Sequence, residues 1–149
     1  MFYSPEEKRK IILNNFNNPT QQVEPAELKK ISENYHVPFA TFQSLEEGCG
    51  DIIHLLIVKK NKYLEKCLFS AQQSCLITIA TANILCSCLE KKDLQFGKKV
   101  LNNCQAMLEG KDYSLNNCSD LKAFSDISQF PHRIECLKLV IRGINKILK

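Results

Sequence analysis

Residues 52–58, Ile-Ile-His-Leu-Leu-Ile-Val, carry apolar side chains at both odd and even positions. Successive side chains of a strand point to opposite faces. A strand with Ile53, Leu55 and Ile57 on one face and Ile52, Leu56 and Val58 on the other is apolar on both. A sheet covered on one side only would alternate more cleanly. Tyr63 to Ser70 predicts a second strand, and Lys59-Lys60-Asn61-Lys62 between the two predicts a polar hairpin turn. Phe39 to Leu45, rich in Phe and Thr, predicts a further strand.

The flanking segments are helical in pattern. Ser4-Pro5-Glu6-Glu7 offers an N-cap serine, a first-turn proline and a capping-box glutamate, and Asn17-Asn18-Pro19 ends that helix. Ala26 to Asn34 predicts a short helix. Leu76 to Leu89 is apolar almost all round, so it predicts a buried helix. Asp93 to Leu108 carries Val100, Leu101, Cys104 and Leu108 on one stripe, with Gly110 as a stop signal. Ser119 or Asp120 caps a short helix to about Ile127. Pro131 opens a final helix with Ile134, Leu137, Ile141, Ile144 and Leu148 at helical spacing. The expected fold is α+β: a small antiparallel sheet packed against a layer of helices, in one domain over residues 1–149.

The net charge is +4, and the nearest thing to a basic run is Lys59, Lys60 and Lys62. Nucleic-acid binding is not expected from such a pattern; a modestly basic face for an acidic protein partner is compatible with it. No stretch has 18 consecutive apolar residues, and the charged start lacks the apolar run of a signal peptide, so no membrane span and a cytoplasmic location are expected. In a reducing compartment the eight cysteines read as ligands, nucleophiles or core residues rather than disulfides.

Most of the eight must be packing residues. Cys67 falls within a strand, Cys104 on an apolar helical stripe, and Cys86 and Cys88 two apart on a helix, where side chains do not face each other. Cys118 lies in the polar loop Asn116-Asn117-Cys118-Ser119, a setting compatible with exposure, with no charged or chelating neighbour to activate it. Three thiols remain, each at an element boundary. Cys49 stands in Gly48-Cys49-Gly50-Asp51, a turn that can aim its sulfur and the Asp51 carboxylate at one ion. Cys75 opens the buried helix, where the helix dipole favours thiolate. Cys136 is in the second turn of the last helix. Three thiolates and a carboxylate suit tetrahedral Zn²⁺; three thiolates also suit an iron–sulfur cluster. A cysteine hydrolase with His54 or His132 as base lacks any oxyanion motif or third orienting residue.

At these residues the sequence resembles the NifU/IscU/SufU family, and most of all its SufU branch. Phe16-Asn17-Asn18-Pro19 is similar to the family's first helix ending, and Cys49-Gly50-Asp51 to its first metal motif. Cys75 with Ile79-Ala80-Thr81-Ala82-Asn83 behind it is similar to the second cysteine region. Phe130-Pro131-His132-Arg133-Ile134-Glu135-Cys136 is similar to the third. The segments Met107–Tyr113 and Asp120–Phe124 fall where SufU proteins carry an insertion.

The resemblance implies a three-stranded sheet packed with helices and a role in iron–sulfur cluster assembly. It implies Cys49, Asp51, Cys75 and Cys136 as Zn²⁺ ligands, with Arg133 in support. The chain would act as a zinc-dependent sulfurtransferase, Cys49 taking persulfide sulfur from a partner cysteine desulfurase. The alternative is a non-enzymatic scaffold. That scaffold would assemble a [2Fe–2S] or [4Fe–4S] cluster on Cys49, Cys75 and Cys136, then pass it to apo iron–sulfur proteins. The pattern departs from the family at Glu135, where scaffolds have histidine and SufU proteins lysine, and at Gln72-Gln73-Ser74 and Thr20-Gln21-Gln22.

Overall fold

The computed structural model describes residues 3–44, 50–72 and 74–149. Three strands, β1 (Ala40–Gln43), β2 (Ile52–Lys60) and β3 (Tyr63–Gln72), form an antiparallel sheet in the order β1-β2-β3. Leu55 sits at the crossing, opposite Ala40 on one side and Phe69 on the other. The hairpin between β2 and β3 is tighter than its four polar residues suggest. Both strands run on, with an irregularity between Val58 and Lys59, until only Asn61 and Lys62 remain as the turn. Both adopt positive φ, 52° and 65°, as two-residue hairpins with the native strand twist require.

The two apolar faces of β2 go to two different places. Ile53, Leu55 and Ile57 join Cys67 and Phe69 of β3 in the main core. Leu56 and Val58 join Leu68 in a smaller cluster closed by Leu28, with Val23, Ile31 and Val37 around it. Leu28 and Ile31 come from α2 (Pro25–Tyr35), which therefore caps the second face. The other face takes the helical layer of α3 (Leu76–Leu89), α4 (Leu94–Leu108) and α5 (Pro131–Leu148), with α1 (Pro5–Asn17) laid along α3.

Local sequence explains these helices. Ser4 and Glu7 form the reciprocal capping box of α1, at 3.1 and 3.0 Å. Asp93 caps α4 through the amide of Phe96 at 2.7 Å. The buried face of α3 has three polar members, Thr78, Thr81 and Asn83, among alanines, leucines and an isoleucine, and Asn83 is the one that reaches toward α1. Its amide joins three segments, accepting from the Gln21 amide at 2.9 Å and donating to Asn15 of α1 at 2.8 Å. That contact seats residues 21–23 beside β3, where Val23 donates to the Phe69 carbonyl. Gly143 lets α5 lie close on the sheet, since a Cβ there would fall 2.9 Å from Phe42 and 3.0 Å from Leu55.

The segment after α4 departs from expectation. Instead of one short helix from Ser119 to Ile127, it makes two 3-10 turns, Ser119–Phe124 and Ile127–Gln129. Tertiary burial of Leu121, Phe124 and Ile127 holds these turns, which are too short to propagate as an α-helix. Among the described residues, no helix is long and apolar enough to cross a membrane.

Candidate metal centre

Antiparallel pairing decides where the site lies. Ile52, the first residue of β2, faces Gln72, the last of β3. Asp51 and Cys75 therefore leave the sheet at the same end, although the whole hairpin separates them in sequence. Two bonds fasten this end. The Ser74 hydroxyl donates to the Ile52 carbonyl at 2.9 Å, and the Ser44 amide donates to the Asp51 carbonyl at 2.9 Å. Gly50, at φ +59°, supplies the left-handed bend before Asp51 that favours glycine. Helix α5 packs against α3 and brings Cys136 to the same point.

One oxygen from Asp51 and the sulfurs of Cys75 and Cys136 lie within 4.8 Å of one another. The two sulfurs are 3.3 Å apart. Around a tetrahedral zinc with bonds of about 2.3 Å, neighbouring sulfurs stand about 3.8 Å apart, so a small opening of the pair admits the ion. The donor set of two soft thiols and one carboxylate fits Zn²⁺, and fits iron equally well in type. Asp51 and Cys136 are buried, and Cys75 is half-buried.

The carboxylate is oriented before any ion arrives. Asp51 Oδ1 accepts from the Cys75 amide at 3.1 Å, and Oδ2 accepts from the Thr78 hydroxyl at 2.6 Å. Asp51 thus satisfies donors at the start of α3 that Cys75, its N-cap residue, leaves open. Thr78 Oγ1 also lies 3.5 Å from Cys75 Sγ. The hydroxyl has one proton, and the shorter contact takes it.

Cys75 has its pKa lowered to about 6. The hydrogen bond from the Cys136 thiol is the largest cause; the Thr78 backbone amide adds to it, while burial and the Asp51 carboxylate oppose it. Cys136 also reaches the His132 carbonyl, one turn back, at 3.7 Å. The shift favours thiolate at Cys75, which already lies beside a second thiol.

Of the residues singled out by sequence, the structure brings together Asp51, Cys75 and Cys136. Cys49 lies outside the described residues, as does Gln73. Arg133 is exposed, its guanidinium 4.8 Å over the Phe130 ring. Those two residues line a groove with Lys8, Arg9 and Leu76, immediately beside Cys75 in the chain. Glu135 turns to Lys138 at 3.4 Å. His54 is engaged with Thr41 at 2.7 Å, and His132 is exposed on α5. Cys67, Cys86 and Cys104 are buried core residues, as expected, with Cys67 and Cys104 pushed up to about 12 chiefly by desolvation.

Two features were missed by sequence reasoning. Thr78, three residues after Cys75, sits at a helix position where a hydroxyl can reach back to the first turn, but in an apolar run it looks like packing. Cys118 has a thiol neighbour after all: it is buried, with Cys88 beside it, a pairing of distant segments that no spacing rule exposes.

Comparison with known proteins gives one related sequence and a consistent fold. No family model matches the chain. Zinc-dependent sulfurtransferase SufU of Bacillus subtilis (strain 168) is 27% identical over 99 residues, 66% of this chain and 67% of that protein. A crystal structure from Fervidobacterium islandicum AW-1, ascribed to iron–sulfur cluster scaffolding for the SUF system, superposes with a TM-score of 0.77 at 20% identity. That match covers 99% of this chain and 96% of the other. The N-terminal part of a nitrogen-fixing NifU-like protein from Brucella abortus gives 0.72 at 14% identity, over 95% and 92% of the two chains. At these identities the two structures establish the fold.

Proposed function

Since the chain belongs with the NifU/IscU/SufU proteins and is SufU-like among them, we propose that it serves iron–sulfur cluster assembly as a zinc-holding acceptor of persulfide sulfur. The observation that carries this reading is the convergence of Asp51, Cys75 and Cys136, from three separate elements, within 4.8 Å. These three, with Cys49 as the fourth ligand, would hold the ion. Its charge keeps the coordinating thiols deprotonated at neutral pH.

Cys49 stands two residues before Asp51 in the chain, next to the bend at Gly50. In the reading proposed here its thiolate attacks the outer sulfur of a persulfide on a cysteine desulfurase. A new S–S bond forms at Cys49 as the enzyme's S–S bond breaks, and the electron pair leaves with the enzyme's thiolate. Asp51 is held in place by Thr78 and the Cys75 amide, so the remaining donors keep their arrangement while Cys49 reacts. The groove beside the site is lined by Lys8, Arg9 and Arg133; Asp126 pairs with Lys8 at 3.6 Å, so the positive charge that supports docking of an acidic partner face comes from Arg9 and Arg133. Arg133 would add positive potential near the thiolates from there. Apo iron–sulfur proteins, or the machinery that builds their clusters, would be the downstream recipients.

Cys49→Ala tests the step: stimulation of a cognate desulfurase should fall to background, with zinc still bound at reduced affinity. Undiminished stimulation would overturn it. The scaffold alternative uses the same thiols, and the close Cys75–Cys136 pair suits it as well. Anaerobic reconstitution with iron and sulfide separates the two readings. A cluster that transfers to an apo-ferredoxin favours the scaffold, and failure to form one favours the acceptor.

A further inference from the structure

A second pair of thiols shares a cleft at the opposite end of α3. Cys88 is in the last turn of that helix and half-buried; Cys118 is buried and leads into the 3-10 turn Ser119–Phe124. Both line a cleft of about 300 Å³ together with Ser87, Asn117 and Asp120. The Cys88 thiol donates to the Asn117 carbonyl at 3.5 Å. The backbone of Cys118 is pinned on both sides, its amide donating to Leu115 at 3.0 Å and its carbonyl accepting from Leu121 at 3.0 Å. Cys88 is thus the more accessible of the two residues, and the backbone that carries Cys118 is fixed.

The two thiols are unequal. A hydrogen bond from Cys118 lowers the Cys88 pKa, with help from Lys92 and against burial and Asp120. The same bond, burial and the neighbouring Cys88, Cys104 and Asp120 push Cys118 up. The half-exposed sulfur is the more readily ionised of the two, and the buried one holds its proton more tightly. Metal binding fits the pair less well. Among the described residues, the only group of three or more Cys, His, Asp or Glu ligands close enough for one ion is the one at Asp51.

The pair is also independent of the metal centre. Cys88 is 13 positions beyond Cys75 on one continuous helix, about 20 Å along the axis at 1.5 Å per residue. No sulfur can pass between them without unfolding α3.

We propose that Cys88 and Cys118 form a dithiol site for thiol–disulfide exchange with small-molecule disulfides, Cys88 attacking and Cys118 resolving. The Cys88 thiolate attacks one sulfur of the small disulfide; a mixed disulfide forms on Cys88, the S–S bond of the small molecule breaks, and one small thiolate leaves. Cys118 gives its proton to solvent and attacks Cys88 Sγ. The Cys88–Cys118 bond forms and the second small thiolate leaves. The protein dithiol loses two electrons and the small disulfide gains them. The product ties residues 110–118 to the end of α3.

The test uses the full-length, zinc-loaded protein with oxidised glutathione, acid quenching, alkylation and peptide mapping. Linked peptides containing Cys88 and Cys118 should accumulate, with Cys88 reacting at least about tenfold faster than buried Cys104. In Cys118→Ser, glutathione should remain attached to Cys88; in Cys88→Ser, Cys118 should gain no adduct. Wild-type kinetics alone suffice should a variant fold poorly, because the mixed disulfide at Cys88 should be transient. Cys88 reacting no faster than Cys104, or a glutathione adduct persisting on Cys88 with Cys118 intact, would overturn the proposal. Neither outcome bears on sulfur transfer at Cys49.

Discussion

Thr78 shows how one side chain organises the centre. It is wholly buried, and its hydroxyl closes the bond to Asp51 Oδ2 at 2.6 Å. Thr78→Val keeps the shape and removes the donor, leaving a buried carboxylate with one bond fewer. The expected loss is about 1–3 kcal/mol of apo-protein stability. Zinc affinity should fall about 10- to 100-fold, as for other residues that orient a metal ligand. Denaturant melts and chelator competition read the two effects separately; unchanged zinc affinity would remove Thr78 from its orienting role. At this scale Asp51, Cys75 and Cys136 stood out in the sequence as chemistry-bearing residues at element boundaries, and the structure brings the three together. Thr78 did not stand out, since its partner lies across the hairpin.

Among the elements, the β2–β3 hairpin matters most to the site, because its register sets Asp51 against the residues before α3. Its turn carries a lysine at φ +65°, a conformation that L side chains adopt at some cost. Lys62→Gly relieves that cost and leaves the register unchanged. It should raise stability by about 0.5–1 kcal/mol, a rise of a few degrees in Tm by calorimetry. A lower Tm would mean that the lysine side chain contributes something the backbone geometry hides. The helices α1, α3 and α5 fall where capping and periodicity put them. The segment after α4 does not, because its turns are fixed by tertiary burial of Leu121 and Phe124 rather than by local propensity.

For the molecule as a whole, the core does not depend on the metal. The main cluster runs from the sheet through α3, α4 and α5, and a second cluster closes the far face under α2. On the zinc reading proposed above, removing the ion with a chelator should therefore leave far-UV circular dichroism nearly intact and lower the unfolding midpoint, in contrast with small zinc modules that unfold without the ion. Collapse to an unfolded spectrum on chelation would show that the site is structural first. The same architecture keeps Cys67, Cys86 and Cys104 inert, since each is buried deeply enough that ionisation is costly.

The sequence alone determined the strands and the main helices, the two-sided covering of β2 and a short list of candidate ligands. Each of these follows from local chemistry: periodicity, capping, and thiols set at element boundaries, one of them beside glycines and a carboxylate. Only the tertiary structure decided which of those residues meet. The pairing of Ile52 with Gln72 and the packing of α5 on α3 bring Asp51, Cys75 and Cys136 together, and the fold of the loop after α4 sets Cys118 against Cys88. Contacts between distant segments depend on register and packing, and neither is written in the spacing of residues along the chain.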